Sequence, residues 1–376
     1  MTNLSLHLRE KLQSAAVIRY PQVITNQQAV DGTQKLLFKF EDGERVEAVL
    51  IPEGERLTLC LSSQVGCLVG CPFCATGLMG FRRNLTAGEI VGQLLAIEKL
   101  ITSPTPSEQA AYNAKIPHSE FRIPHSAFRI PNSAFRNPKP AITNVVMMGM
   151  GEPLLNRRAV FKAARLITDP NGVGLPARKL TISTVGWLPG IRAMTKALSP
   201  TPHPGRDDFS RPPLETSLPH VKLAVSLNAT TDEQRRRIMP MVARYPLRDI
   251  VFAAREYALA SKLPVALNYL LLAGENDSDA DAARLTALLH SSPPAKQGGS
   301  KGGASWCKIN LMEYNEVGSP FTRASGDRTG AFLNLLRNAG LTVTLRTSRG
   351  GDIAGACGQL AGEYAPGSGR VPEALP

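Results

Sequence analysis

Residues 86–101, TAGEIVGQLLAIEKLI, carry apolar side chains at 90, 91, 94, 95, 97 and 101. That spacing predicts an amphipathic helix with one face turned to a core. Thr86, with Glu89 three positions on, has the pattern of a capping box. Upstream, Leu37, Phe38 and Phe40 precede Glu41-Asp42-Gly43-Glu44, and Val46, Ala48 and Leu50 alternate after it. This predicts a β-hairpin over 34–51 that turns at the Asp-Gly pair. Short apolar runs predict strands at 57–63, 143–150, 179–186, 221–228, 264–274, 307–315 and 341–348. Helical spacing falls between them, near 156–168, 188–198, 231–237, 247–261, 278–291 and 324–339. Strands that alternate with helices build a parallel sheet with crossover helices. The expected fold class is therefore α/β, a partial (β/α)6-type barrel with a small N-terminal segment and β-hairpin. Barrels of this kind place their chemistry at the C-terminal ends of the strands. That rule gathers Gly149–Glu152, Ser183, Ser226, Leu227, Asn228 and Asn315 at one mouth.

Three stretches break the alternation. Residues 104–140 contain IPHSEFR, IPHSAFR and IPNSAFR in tandem from Ile116 to Arg136. A seven-residue period suits a coiled coil, but a proline in every unit forbids one. A surface loop is expected, with His118 and His125 as solvated repeat residues. Residues 200–219 carry six prolines, and 291–305 are rich in Gly, Ser and Lys. Both are expected as loops. Residues 1–30 are expected as the end of a helix, LREKLQSAAVI, and a linker. The organisation is then 1–56 as an N-terminal segment with the hairpin, 57–363 as the barrel, and 364–376 as a frayed tail.

The 43 Lys and Arg outweigh 31 Asp and Glu, a net charge of +12. This suits a polyanionic partner without requiring one. Arg82, Arg83, Arg235, Arg236, Arg237, Arg346 and Arg349 are candidate phosphate contacts. The sequence has no run of eighteen apolar residues and no apolar leader at MTNLSLHLREKL, so a cytoplasmic protein with no membrane partner is expected. A monomer is the simplest assembly.

Four of six cysteines, Cys60, Cys67, Cys71 and Cys74, fall within fifteen residues. Clustering of that kind favours metal or redox chemistry over disulfide staples. Cys67-Leu-Val-Gly-Cys71-Pro-Phe-Cys74 is a C-x3-C-x2-C loop. Three thiolates do not complete the four-ligand shell of structural zinc. Three cysteines on an iron–sulfur cube leave one iron open, and an open iron can chelate a substrate or cofactor. Cys307 begins a predicted strand and reads as core, as do Met147, Met148 and Met150. GMGEP lacks the dinucleotide-binding spacing and is expected to leave an unencumbered backbone for a ligand.

The cysteine loop resembles the cluster motif of the radical S-adenosylmethionine superfamily. LCLSSQVGCLVGCPFCATGLMGFRRNLTAGEI, TNVVMMGMGEPLLN and GGDIAGACGQLAG closely resemble the RlmN/Cfr family of RNA adenine methyltransferases. The resemblance runs from about residue 8 to 363. It implies a radical S-adenosylmethionine barrel with a [4Fe-4S] cluster held by Cys67, Cys71 and Cys74. It also implies S-adenosylmethionine, two per turnover, contacted by Gly151, Glu152, Ser183, Ser226, Leu227, Asn228 and Asn315. Cys357 matches the cysteine that carries a methyl group, Cys60 the second catalytic cysteine, and Glu47 a proton acceptor. Family members begin with a longer helical accessory domain, so 1–56 is expected to be a truncated form of it. The family often has His at Asn228 and Glu at Asn268.

The implied partners are ribosomal RNA, transfer RNA for some members, and an electron donor that reduces the cluster and a product disulfide. The target carbon is electrophilic, so it does not attack a sulfonium methyl, and a radical route avoids the difficulty. In the family's mechanism Cys357 is methylated, a radical forms on its methyl group and adds to adenine, and Cys60 resolves the adduct as a disulfide. Methylation at C2 of an adenosine in 23S ribosomal RNA is the expected activity. Cfr-type methylation at C8 of the same base is the alternative, and a zinc-binding RNA module a distant one.

Overall fold

The computed structural model describes residues 5–15, 20–102, 141–198, 217–242, 244–290, 306–364, 367 and 369. The heptapeptide repeat with His118 and His125, residues 200–216 and residues 291–305 lie outside them.

A short helix, α1 (Leu6–Ala15), is followed by strands β1 (Gln22–Gln28), β2 (Gln34–Lys39), β3 (Arg45–Glu53), β4 (Arg56–Cys60) and β5 (Gln64–Gly66). Next come α2 (Ala75–Leu78), β6 (Phe81–Asn84), α3 (Ala87–Thr102) and β7 (Asn144–Met147). The repeating part continues through α4 (Arg157–Thr168), β8 (Leu180–Thr184), α5 (Leu188–Ala197), β9 (Lys222–Ser226), α6 (Asp232–Ile238) and α7 (Leu247–Ser261). It ends with β10 (Val265–Leu271), α8 (Asp279–His290), β11 (Cys307–Glu313), α9 (Gly326–Asn338) and β12 (Val343–Arg346).

Ten strands form one sheet in the order β1-β2-β3-β4-β7-β8-β9-β10-β11-β12. β1 to β4 pair antiparallel, and from β4 to β12 every pairing is parallel. The expected alternation is thus present. The antiparallel hairpin turns at Asp42-Gly43, and its sheet runs through residue 56 into the parallel part without a break. Parallel strands buried on the helical side read as apolar at alternate positions, as in Leu180, Ile182, Leu223, Val225, Ile309 and Leu311, all at most 1% exposed. Leu267 and Tyr269 continue that face on β10, where Tyr269 stacks on Phe332 of α9.

Two expectations at the N-terminal end need correction. The presumed linker contains β1, which pairs with β2 from Gln22–Lys39 to Gln28–Gln34. Its sequence, QVITNQQ, is polar because it lies at the sheet edge with one neighbour. The second miss is the pair β5–β6, a separate antiparallel ribbon that brackets the cysteine loop. The capping box is present in both directions: Glu89 N donates to Thr86 Oγ1 and Thr86 N donates to Glu89 Oε2. At the other end, Tyr364, Gly367 and Gly369 are not frayed. Tyr364 donates to Glu44, Gly367 N to Leu78 O, and Gly369 N to Met79 O.

Candidate active site

Sheet register puts the chemistry on one face. Cys60 pairs with Val146, Val146 with Thr181, and Ser183 with Ala224. Side chains alternate along a strand, so Cys60, Ser183 and Ser226 project from the same face, opposite the helix-covered apolar rows. All three stand at or next to the C-terminal ends of their strands.

The cysteine loop hangs from the same ends. β5 runs into Cys67, whose N–H donates to Gly80 O, and Cys74 opens α2. Cys74 opposes the ionisation of Cys67 and Cys71, and Cys67 that of Cys71, as close like charges do. Burial is the larger cause and raises all three thiols. The fully buried Arg235 guanidinium acts the other way on Cys71. Such a group of buried thiols is stable as thiolates only against a cation, which iron supplies. Among the described residues no three His, Cys, Asp or Glu side chains converge on one ion. An iron–sulfur cube does not ask them to, because it binds each thiolate at a separate iron. The donor set therefore fits a cluster held by three cysteines.

Glu152 lies beside this loop. It is 2% exposed, and burial lifts its carboxyl to about 7. Its Oε1 accepts from Leu154 N at 3.0 Å and its Oε2 from Val185 N at 2.8 Å. Among the described residues no salt bridge reaches it, so an incoming ammonium would find a buried acceptor. The preceding glycines were expected to leave backbone open for a ligand. Gly151 instead packs inward: with φ at +98°, a Cβ there would lie 2.5 Å from Gln64 Cβ. Gln64 in turn accepts from Glu152 N at 2.8 Å. The tight turn therefore locks Glu152 to the strand that launches the cysteine loop.

The β9 end differs from a simple ligand shelf. Asn228 adopts a left-handed conformation at φ 53°, and its Oδ1 accepts from Leu270 N at 3.0 Å. Its carbonyl accepts from Asn276 Nδ2 at 2.9 Å. Arg235, a sequence candidate for RNA phosphate, is wholly buried and cannot reach a polyanion. It donates to Leu227 O at 2.7 Å, to Ser226 O at 3.4 Å and to Val185 O, tying β8 to β9 behind the site. Arg82 and Arg83 are held by Glu44, and by Asp42 and Glu89. Arg236, Arg346 and Arg349 are exposed.

Cys357 completes the arrangement. The residue is exposed, yet burial of its thiol pushes it up to about 11, with Cys74 adding to the rise. Cys60, 8% exposed, is pushed up to about 12 by burial, with Cys357 as the next cause. Cys357 thus lies close enough to Cys60 and to Cys74 for the charges to be felt. Asn315 Nδ2 donates to Cys357 O at 3.1 Å, and Ala75 N donates to Gly358 O at 2.7 Å. Cys307 is buried at the start of β11 and stands apart as core.

Glu47, matched to a proton acceptor, lies on β3 of the hairpin. It is 4% exposed. Oε1 meets Lys35 Nζ at 3.2 Å, and Oε2 accepts from Ala361 N at 2.8 Å and Gly362 N at 3.1 Å. It therefore ties the hairpin to the chain just beyond Cys357. Sequence reasoning missed this fastening, and also Arg235, Gln64 and Asn156. Asn156 Nδ2 donates to Ser63 O at 2.8 Å and to Leu85 O at 2.7 Å. The GEPLLN motif that contains Asn156 was the available signal.

No protein-family model matches the chain. Curated relatives do. A dual-specificity RNA methyltransferase RlmN from Syntrophobacter fumaroxidans is 37% identical over 364 residues, covering 96% of this chain and 86% of the relative. One from Pelobacter propionicus is 38% identical over 364 residues, covering 96% and 84%. Among solved structures, a radical SAM methyltransferase from Sphaerobacter thermophilus aligns with a TM-score of 0.71 at 35% identity, covering 96% of this chain and 87% of that one.

Proposed function

The chain belongs to the RlmN family of radical S-adenosylmethionine RNA methyltransferases, and from that premise we propose that it methylates C2 of an adenosine in 23S ribosomal RNA and acts on transfer RNA as well. The single observation that carries the reading is that Cys357 lies near Cys60 and against the loop of Cys67, Cys71 and Cys74, where Ala75 N donates to Gly358 O. When bound, the cluster and S-adenosylmethionine supply the methyl group and a carbon radical able to remove hydrogen from it.

The chain's own groups do the rest. Cys67, Cys71 and Cys74 hold the cluster, and Glu152 receives the ammonium of S-adenosylmethionine. Gly151, Ser183, Ser226, Leu227, Asn228 and Asn315 border the same mouth. Asn228 acts there through the backbone it fixes, since its amide oxygen is already engaged. Cys357 Sγ carries the one-carbon unit to the base. The target adenine must leave its stack to reach Cys357. The Cys60 thiol, held near 12, keeps its proton in the resting protein. It becomes a proton acceptor for the adenine ring only after substrate displaces the surroundings that raise it. Cys60 Sγ, as thiolate, then attacks Cys357 Sγ; the carbon–sulfur bond breaks, its electron pair stays on the new carbon of the base, and that carbon takes a proton to become methyl. The resulting disulfide requires a thiol or other two-electron reductant before the next cycle. Glu47, with both oxygens engaged, serves by holding residues 361–362, and proton acceptance would require one of those bonds to open.

The test is nucleoside analysis. Cluster-loaded protein, S-adenosylmethionine, a low-potential reductant and unmodified ribosomal or transfer RNA are incubated anaerobically, and the digested RNA is separated by mass spectrometry. 2-Methyladenosine in both RNAs is expected. 8-Methyladenosine would overturn the C2 assignment, and Cys357→Ala with undiminished methylation would overturn the carrier role.

A further inference from the structure

The segment that carries Cys357 leaves β12 at Arg346 and is fastened twice. Its far fastening is the Glu47 pair with Ala361 and Gly362, reinforced by Thr76 Oγ1, which donates to Leu360 O at 2.5 Å. Its near fastening is a reciprocal pair with the β1–β2 turn. Gly350 N donates to Asp31 Oδ2 at 3.0 Å, and Val30 N donates to Asp352 Oδ2 at 3.0 Å.

The turn is itself rigid. Thr33 N donates to Asp31 Oδ1 at 2.9 Å, and Ala29 N to Thr33 O at 2.8 Å. Gly350 has φ +65°, and a Cβ on it would come within 2.8 Å of the buried Thr33 Cγ2. The two chains therefore meet at one close, two-bond contact. Desolvation opposes ionisation of Asp31, but its bonds from Thr33 and Gly350 outweigh this and hold the carboxyl below the usual range.

We propose that Asp31 and Asp352 are positioning residues that fix the near end of the Cys357 segment and so set how often Cys357 meets Cys60. This rests on the reading of Cys357 as the methyl carrier, and it gives the N-terminal strands a part in that chemistry.

The size of the effect follows from tether length. With the clasp closed, Ile353 to Gln359, seven residues, span the fastenings and swing once the Asn315 bond to Cys357 O and the Ala75 bond to Gly358 O open. With it open, the free chain starts at Thr347 and has thirteen. Encounter within a flexible loop falls as about the −3/2 power of its length, which gives a drop of about 2.5-fold. Lost orientation of the Gly350–Ile353 turn adds to that figure.

The readout is the effective concentration of Cys357 at Cys60. Cluster-loaded protein is equilibrated anaerobically with glutathione buffers. The two thiols release two protons and two electrons to oxidised glutathione, which becomes two reduced molecules, as the intramolecular disulfide forms. Peptide mass spectrometry gives the ratio of that disulfide to the Cys357–glutathione mixed disulfide. Asp31→Ala with Asp352→Ala should lower the ratio about 2.5-fold or more. Asp352→Asn should keep it near wild type, because its amide oxygen still accepts from Val30 N, the one bond Asp352 makes to the turn. Asp352→Ala alone removes a single bond from an exposed residue. It provides a folded variant, with thermal unfolding as the check, and should lower the ratio in the same direction. A wild-type ratio in the alanine variants overturns the clasp alone. A wild type in which Cys60 and Cys357 never pair overturns the carrier reading and the clasp with it.

Discussion

Replacing Gly151 with alanine tests the tight turn that holds Glu152 at the cluster loop. The added Cβ would stand 2.5 Å from Gln64 Cβ, 2.7 Å from its Cγ and 2.8 Å from its N. Two of those atoms cannot move without shifting β5, so overpacking of about 1–3 kcal/mol is expected. A side chain at φ +98° adds about 1–2 kcal/mol of backbone strain. The sum is about 2–5 kcal/mol. For 376 residues the unfolding entropy is near 0.8 kcal/mol per kelvin, so Tm should fall by about 3–6 °C. Relief by displacement of Gln64 would also break its bond to Glu152 N. S-adenosylmethionine affinity should therefore drop along with Tm. Calorimetry on matched preparations, with equilibrium dialysis of S-adenosylmethionine, gives both numbers. A variant within 1 °C of wild type and with unchanged affinity would refute the claim that this glycine is required by close packing.

Other consequences can be measured on the same material. Glu152 titrates at about 7 in the folded protein against 4.5 in the unfolded chain, so folding favours its protonated form. Its contribution is whole below pH 4.5 and is lost as pH rises to 7, a difference of about 3 kcal/mol in protein without bound cofactor. Between pH 5 and 7.5 wild type should therefore lose several degrees of Tm more than Glu152→Ala, and parallel pH profiles would count against a buried, unpaired carboxyl. Arg235→Met removes the guanidinium that joins Val185 to Leu227. It should lower stability by about 2–4 kcal/mol while leaving the salt dependence of RNA binding unchanged; a shallower salt slope would return Arg235 to the RNA interface. Asn156→Ala leaves two buried carbonyls, Ser63 O and Leu85 O, without that donor. A loss of about 2–4 kcal/mol is expected in urea unfolding, with less than 1 kcal/mol contradicting the bracing role.

Much of this site could be read before any coordinates because its signals are local. Cys67, Cys71 and Cys74 lie within eight residues, and the helices around them announce themselves by spacing and by the Thr86–Glu89 cap. What escaped was whatever depends on partners distant in sequence. The bonds of Glu47 could not be foreseen because the amides it accepts from, at 361 and 362, lie more than 300 residues away. Arg235, Arg236 and Arg237 look alike in sequence. Helix α6 turns the first into the core while Arg236 and Arg237 remain exposed. β1 was missed because an edge strand has no need of an apolar row, and QVITNQQ provides none. β5 and β6 were missed because a ribbon of three and four residues is too short to show a period. The linear strand order is a further case: alternation predicts parallel neighbours, whereas the antiparallel run from β1 to β4 is fixed by turns and edge pairing.

The bond between Gly350 and Asp31 joins residues 319 positions apart, and this sets a timetable for a chain made from one end. At about 5–20 residues per second, roughly 16–64 s pass between synthesis of Asp31 and of its partner. Throughout that interval the β1–β2 turn has nothing to clasp, and the cysteine loop lacks the strand of chain that later covers it at Gly358, Gly367 and Gly369. A nascent protein stalled before Thr347 would thus present the cysteine loop without Cys357. Cys67, Cys71 and Cys74 therefore exist through most of that interval without Cys357, and the four are assembled only once residues 347–369 have been made.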